Sequence, residues 1–114
     1  VADRARAGGD VADCFFAEHA LPFVRTPMFL LQSVADAWQL DNILGSNEDP
    51  ALVNEYRLRM TSRLFDSVLN RPQNGGFIDS CVHHCGLWEE LVIDGTCLPD
   101  AFIGWYRATR TAWE

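Results

Sequence analysis

The hydrophobic pattern changes period along this chain, and each change marks an element. From Val11 to Val24 the apolar residues cluster as Val11, Cys14, Phe15, Phe16, Ala20, Leu21 and Phe23. Spacings of three and four predict a short helix there, ended by Pro22. After Thr26-Pro27 comes the run Met28-Phe29-Leu30-Leu31-Gln32-Ser33-Val34, too short for a helix and without alternation. It predicts a strand buried on both faces, the kind found in parallel sheets. Asp49 followed by Pro50 is an N-cap followed by proline at the first helical position. Val53, Tyr56, Met60, Leu64 and Val68 then recur at helical spacing, with Arg57, Arg59, Arg63 and Asp66 elsewhere on the wheel. That predicts an amphipathic helix of about five turns laid against the sheet, running from Pro50 to Asn70 and stopped by Pro72.

Asn74-Gly75-Gly76 reads as a turn, Phe77 to Cys81 as a second short strand, and His83-His84 as part of the loop beyond it. A turn at Asp94-Gly95 precedes a last helix opened by Pro99, with Leu98, Ala101, Phe102, Trp105 and Tyr106 on its apolar face. Residues 1–10 read as an irregular lead-in. Strands alternating with helices imply an α/β layer architecture. Two strands and two or three helices are too few for a complete doubly wound sheet, so residues 1–114 read as part of a single larger α/β domain whose sheet is incomplete. The chain begins Val1-Ala2-Asp3-Arg4, without methionine, which fits a segment of something longer. Open strand edges predict aggregation or partner dependence when the segment stands alone.

Composition narrows the partners. At 114 residues the chain is one domain at most, and 48% hydrophobic with 22% charged is a globular composition. All nine basic residues are arginine, against sixteen acids, for a formal charge of −7. Scattered arginines on an acidic chain disfavour nucleic acid as a partner. No apolar run approaches the roughly 18 residues of a membrane span. Four cysteines, Cys14, Cys81, Cys85 and Cys97, are an even number in a short chain, which suits disulfides and an oxidising compartment and leaves three pairings open.

The densest chemistry lies in Ser80-Cys81-Val82-His83-His84-Cys85. Imidazole exchanges protons near neutral pH, so a general base is at hand. Functional side chains of open α/β sheets sit just past the carboxyl ends of strands. Asp36 and the histidines both occupy such places. Taken alone, Asp36 could equally cap a helix starting at Ala37, and His84 could be a packed or solvated loop residue. A zinc site on the histidines and flanking cysteines is disfavoured, because adjacent histidines seldom point at one metal and no second ligand pair follows at finger-like spacing. The acids Glu89 and Glu90 read as a solvated face, not as the paired carboxylates of a glycosidase. Of the tryptophans, Trp38 stands beside Asp36 and is a candidate substrate wall. The others read as packing residues.

Several words in order carry a family resemblance. Thr26-Pro27-Met28-Phe29-Leu30-Leu31, Asp36-Ala37-Trp38-Gln39-Leu40 and Asn42-Ile43-Leu44 resemble the aspartate region of the plant-type pectin acetylesterases. Asn74-Gly75-Gly76-Phe77-Ile78, Ser80-Cys81 and His84-Cys85 resemble that family's histidine region, Gly104-Trp105-Tyr106 its final helix, and Cys14-Phe15-Phe16 is similar to a further stretch of it. Asp94-Gly95-Thr96 with Leu98-Pro99 and Ala101 is shared with the related Notum carboxylesterases. The resemblance spans roughly residues 14 to 108.

It implies an α/β-hydrolase-like serine esterase with a Ser-Asp-His triad, in which Asp36 is the acid and His84 the base. His83 falls where the family pattern has no histidine, which implies a bystander whose loss is mild. No serine here sits in a glycine-flanked elbow, and in this fold the nucleophile precedes the acid and the base. The resemblance therefore implies the C-terminal portion of the domain, inactive alone and partnered by its missing N-terminal half. It further implies a secreted or cell-wall location, an acetylated pectin-like substrate, and no cofactor or metal. A Notum-like lipid-ester hydrolase and a non-catalytic binding module are the alternatives.

Overall fold

In the computed structural model, residues 10–45 and 49–110 are described. The expected lead-in over residues 1–10 lies outside them except for Asp10. That residue's side chain accepts a hydrogen bond from the Ala12 amide and opens a 3₁₀ turn, Val11–Phe15.

Two parallel strands make the centre. β1 (Phe29–Asp36) pairs with β2 (Gly75–His83), and the chain between them is mostly helical. This is a partial α/β arrangement, helices around a parallel pair. The connector is α3 (Pro50–Leu64), which continues as a π turn over Phe65–Leu69. Asp49 starts it as the sequence predicts, its carboxylate accepting from the Ala51 and Leu52 amides at 2.9 and 3.3 Å. α3 lies against β1, and Val68 in the following turn is fully buried with Leu40, Val34, Ala35 and Phe77 to form the core.

Asn74 ties the connector to the sheet. Its amide nitrogen donates to the Val68 carbonyl at 2.9 Å, and its Oδ1 accepts from the Met28 amide at 3.0 Å. One side chain thus satisfies a carbonyl left over at the helix end and sets where β1 begins. On the opposite side lies α4 (Leu98–Arg110), entered through a hairpin of β3 (Val92–Ile93) and β4 (Thr96–Cys97). The turn residues Asp94 and Gly95 have φ of 50° and 79°, the conformation of a two-residue I′ turn. Phe102 and Trp105 of α4 pack on Phe29 at ring separations of 5.4 and 5.3 Å. The Trp105 indole donates to the Gln73 carbonyl.

Several expectations change here. The helix expected over Val11–Val24 is three short pieces: the 3₁₀ turn, α1 (Ala17–Ala20) and a second 3₁₀ turn, Leu21–Phe23, which contains Pro22 instead of ending before it. Phe16 has extended backbone and interrupts the helix, and its side chain and that of Phe15 stay exposed. β1 is buried on both faces only from Ser33 onward and Leu31 stays exposed; among the described residues β1 pairs with β2 alone. Gly75 and Gly76 are the first residues of β2, not the turn. A Cβ at Gly75 would sit 2.6 Å from Trp105 Cδ1 and 2.9 Å from Phe29 Cδ2, so the absent side chain serves close packing of α4 on the strand. β2 extends through His83, so only His84 lies past the strand end. Among the described residues the four cysteines stand unpaired. Cys81 and Cys85 are exposed, Cys14 and Cys97 half-buried, and the Cys97 thiol donates to Asp100.

Candidate active site

A bulge at the carboxyl end of the sheet aligns the polar residues. Ser33 stands opposite Asp79, but Ala35 stands opposite Val82, so two residues of β2, Ser80 and Cys81, face the single Val34 of β1. Side chains satisfy the backbone that the bulge releases. Ser33, almost fully buried, donates through Oγ to the Cys81 carbonyl and accepts from the Ala35 amide, while Asp79 Oδ1 accepts from the Cys81 amide. The extra residue advances β2 by one step, so that His83 instead of Val82 stands beside Asp36 and His84 falls just beyond it.

The result is one contact across 48 positions of sequence: His84 Nδ1 lies 2.9 Å from Asp36 Oδ2 and 3.1 Å from Oδ1. Asp36 is 4% exposed, whereas the His84 side chain is 52% exposed. The carboxylate is fixed from a second side, because Asp36 is also the N-cap of α2 (Ala37–Gln39) and accepts from the Gln39 amide at 2.9 Å. Cap and imidazole partner are therefore the same residue. Behind it, the Tyr56 hydroxyl donates to the Gln39 side-chain carbonyl. Burial first, and then the nearby Asp36 carboxylate, push the Tyr56 phenol above its ordinary 10.0, with Arg59 opposing. The phenol is thus held in its donor form.

Trp38, half-exposed on α2, brings its ring to 6.1 Å from the His84 ring. Both line a groove of about 920 Å³ between α3 and the N-terminal turns, with Phe16, Leu21, Ile43 and Met60 on its walls. Among the described residues no serine hydroxyl hydrogen-bonds to His84, and none of their His, Cys, Asp and Glu side chains form a group able to hold a metal. Nor is any of their helices long and apolar enough to cross a membrane.

Residues 3–51 match the family model of the pectinacetylesterases, a segment that includes Asp36 and Trp38 and stops short of His84. Pectin acetylesterase 7 of Arabidopsis thaliana is 29% identical over 92 residues, covering 63% of this chain and 23% of that protein. Palmitoleoyl-protein carboxylesterase notum1' of Xenopus laevis is 29% identical over 110 residues, covering 90% of this chain and 22% of that protein. The chain is homologous to the pectinacetylesterases. No solved structure gives a significant match. This pectinacetylesterase homologue spans about a quarter of the length of the curated relatives it matches.

Beside the Asp36–His84 contact the homologue carries a second pair that the sequence did not suggest. His83 is 5% exposed, and its Nε2 lies 3.0 Å from both oxygens of buried Asp79. Its ring meets Trp88 edge-on at 5.3 Å, and among the described residues neither His83 Nδ1 nor Trp88 Nε1 has a hydrogen-bond partner. His83 is thus a packed residue at the end of β2, where a loop position was expected. A polar residue four positions before a histidine in a short strand was the available signal, but without the bulge the spacing means nothing. Gln39 and Tyr56 were also missed in this role, Tyr56 because it belongs to the apolar stripe of α3.

Proposed function

We propose that this chain is the acid-and-base portion of a serine carboxylesterase that removes acetyl groups from a pectin-like polysaccharide, with the nucleophilic serine and oxyanion hole supplied by sequence outside these 114 residues. The observation that carries the reading is the 2.9 Å contact between buried Asp36 and half-exposed His84. With Nδ1 turned to the carboxylate, Nε2 is the nitrogen left to move protons. In the reaction, a serine oxygen bonds to the ester carbonyl carbon as its proton passes to Nε2. The same proton then goes to the sugar oxygen as the ester C–O bond breaks, leaving a free sugar hydroxyl and an acetyl group on the serine. Water, deprotonated by Nε2, next attacks the acyl-enzyme; the bond to the serine oxygen breaks as Nε2 returns the proton to it, and acetate leaves. Asp36 fixes the tautomer and stabilises the imidazolium at each stage.

The family match over residues 3–51 and the named pectin acetylesterases support the polysaccharide acetyl ester and an extracellular location. Trp38, a half-exposed ring beside His84, is positioned to stack on a sugar. A second reading, a lipid-ester hydrolase, draws on the apolar groove and on the palmitoleoyl-protein carboxylesterases among the relatives. Release of acetate from acetylated pectin, compared with release of a long-chain acid from an acyl ester by the full-length protein, decides between them. Absence of both activities leaves the binding-module alternative. His84→Ala in that protein is expected to lose turnover by about 10³-fold or more, and an active His84→Ala enzyme would sink the assignment. The 114 residues alone are expected to turn over no ester.

A further inference from the structure

Three of the nine arginines, Arg57, Arg59 and Arg63, sit on α3, in a chain whose formal charge is −7. Arg59 and Arg63, one turn apart, both line the groove that Trp38 and His84 border. Among the described lining residues Glu18 is the carboxylate that faces them, and Glu55 stands beside Arg59. Arg59 and Arg63 are thus the two guanidinium groups among the described residues of this groove, on an otherwise acidic molecule. Their present partners are weak: Arg59 reaches Glu55 at 3.8 Å and Arg63 reaches Glu18 at 3.7 Å, with both guanidinium side chains mostly exposed. Ion pairs of this kind contribute only about 0–1 kcal/mol, so an incoming anion displaces them easily. Residues four apart on a helix lie about 6 Å apart along its axis, which suits two charges carried on one polymer.

We propose that Arg59 and Arg63 form a carboxylate-reading wall that selects the uronic-acid backbone of the polysaccharide and lays it across Trp38 towards His84. The inference rests on the pectin-esterase reading for its choice of polymer, and it concerns binding rather than chemistry. Guanidinium groups take carboxylates through paired N–H donors, while the indole face takes the sugar ring. Glu18, at 3.7 Å from Arg63, competes for the same donor.

The test is calorimetric titration of the full-length protein with polygalacturonate oligomers carrying free carboxylates, and with the same oligomers fully methyl-esterified. Arg59→Gln with Arg63→Gln is expected to weaken binding of the free-acid oligomer about five- to tenfold, with no change for the methyl ester. Glu18→Gln is expected to tighten the free-acid oligomer about two- to threefold. Added salt should weaken the parent more than the double variant. Equal affinities of parent and double variant, or equal weakening on charged and neutral oligomers, would overturn the proposal. A Glu18→Gln variant that binds less well would do the same. Because the readout is binding, a protein that hydrolyses no ester would refute the esterase reading while leaving the arginine wall to be judged by these titrations.

Discussion

The buried Asp79–His83 pair allows the firmest quantitative prediction. Asp79→Ala removes the acceptor of the Cys81 amide at 2.9 Å and both contacts to His83 Nε2 at 3.0 Å, in a place where Asp79 and His83 are 8% and 5% exposed. Among the described residues His83 Nδ1 already has no partner, so the ring would be buried with neither nitrogen satisfied. An orphaned buried donor costs about 1–3 kcal/mol. The imidazole pays this in full and the part-buried Cys81 amide in part, which gives an expected loss of about 2–4 kcal/mol. That is a large share of the roughly 5–15 kcal/mol that holds a domain together. Asp79→Asn keeps one carbonyl oxygen for the Cys81 amide and should cost about half as much. Urea unfolding of the full-length protein followed by tryptophan fluorescence reads both, since Trp88 packs edge-on against His83. If Asp79→Ala unfolded within about 0.5 kcal/mol of the parent, the pair would not be holding the bulge, and the explanation of how His84 comes to its place would fail.

The remaining predictions separate packing from chemistry. His83→Ala should lower the urea midpoint strongly while the turnover of the folded fraction stays within about threefold, whereas Asp36→Asn should keep the fold and lose about 10³–10⁴-fold in turnover through the wrong imidazole tautomer. Gly75→Ala forces a methyl to within 2.6 Å of Trp105 Cδ1 and should cost about 1–3 kcal/mol, read as a lowered melting temperature. Ultraviolet titration should show one phenol ionising above the ordinary 10.0 and missing in Tyr56→Phe. The folded-state value is the raised one, so the stability it contributes is fully present below pH 10.0 and is lost as the pH climbs through the higher folded value. A Tyr56 that titrates normally would show that burial and Asp36 do not act on it.

What could be read from the chain depended on how local its cause was. The Asp49-Pro50 cap, the helical stripe from Val53 to Val68 and the apolar run before Asp36 express their structure within a few residues, and each was legible. The parallel partner of β1 followed from the same logic. The bulge was not, because it exists through a Ser33 hydroxyl reaching the Cys81 carbonyl 48 positions away, and nothing near either residue marks the event. Asp79 was missed for the same reason. The hairpin around Asp94-Gly95 was seen only as a turn, since its strands are two residues each and too short to show alternation. The N-terminal apolar cluster misled: its periodicity is helical, but Phe16 is extended and the surface that would bury Phe15 is not among the described elements.

The sequence leaves Asp36 two readings, a helix cap or the partner of a histidine, and in the structure its carboxylate makes both contacts. An aspartate ending a strand caps the next helix in many proteins, a use that competes with holding a histidine only if both need the same oxygen. Here the two share the work between oxygens: Oδ1 accepts from the Gln39 amide, and Oδ2 makes the shorter approach to His84. The cap anchors the carboxylate on a backbone dipole, which removes most of its freedom to rotate. A carboxylate so fixed can hold an imidazole in one orientation without ordering any further residue of its own. Asp36→Asn tests this coupling directly. Its side-chain carbonyl can still accept from Gln39 while the amide turns towards Nδ1, so the cap survives and the imidazole tautomer changes. A variant that kept full turnover would show that capping, rather than orientation of His84, is the whole function of this residue.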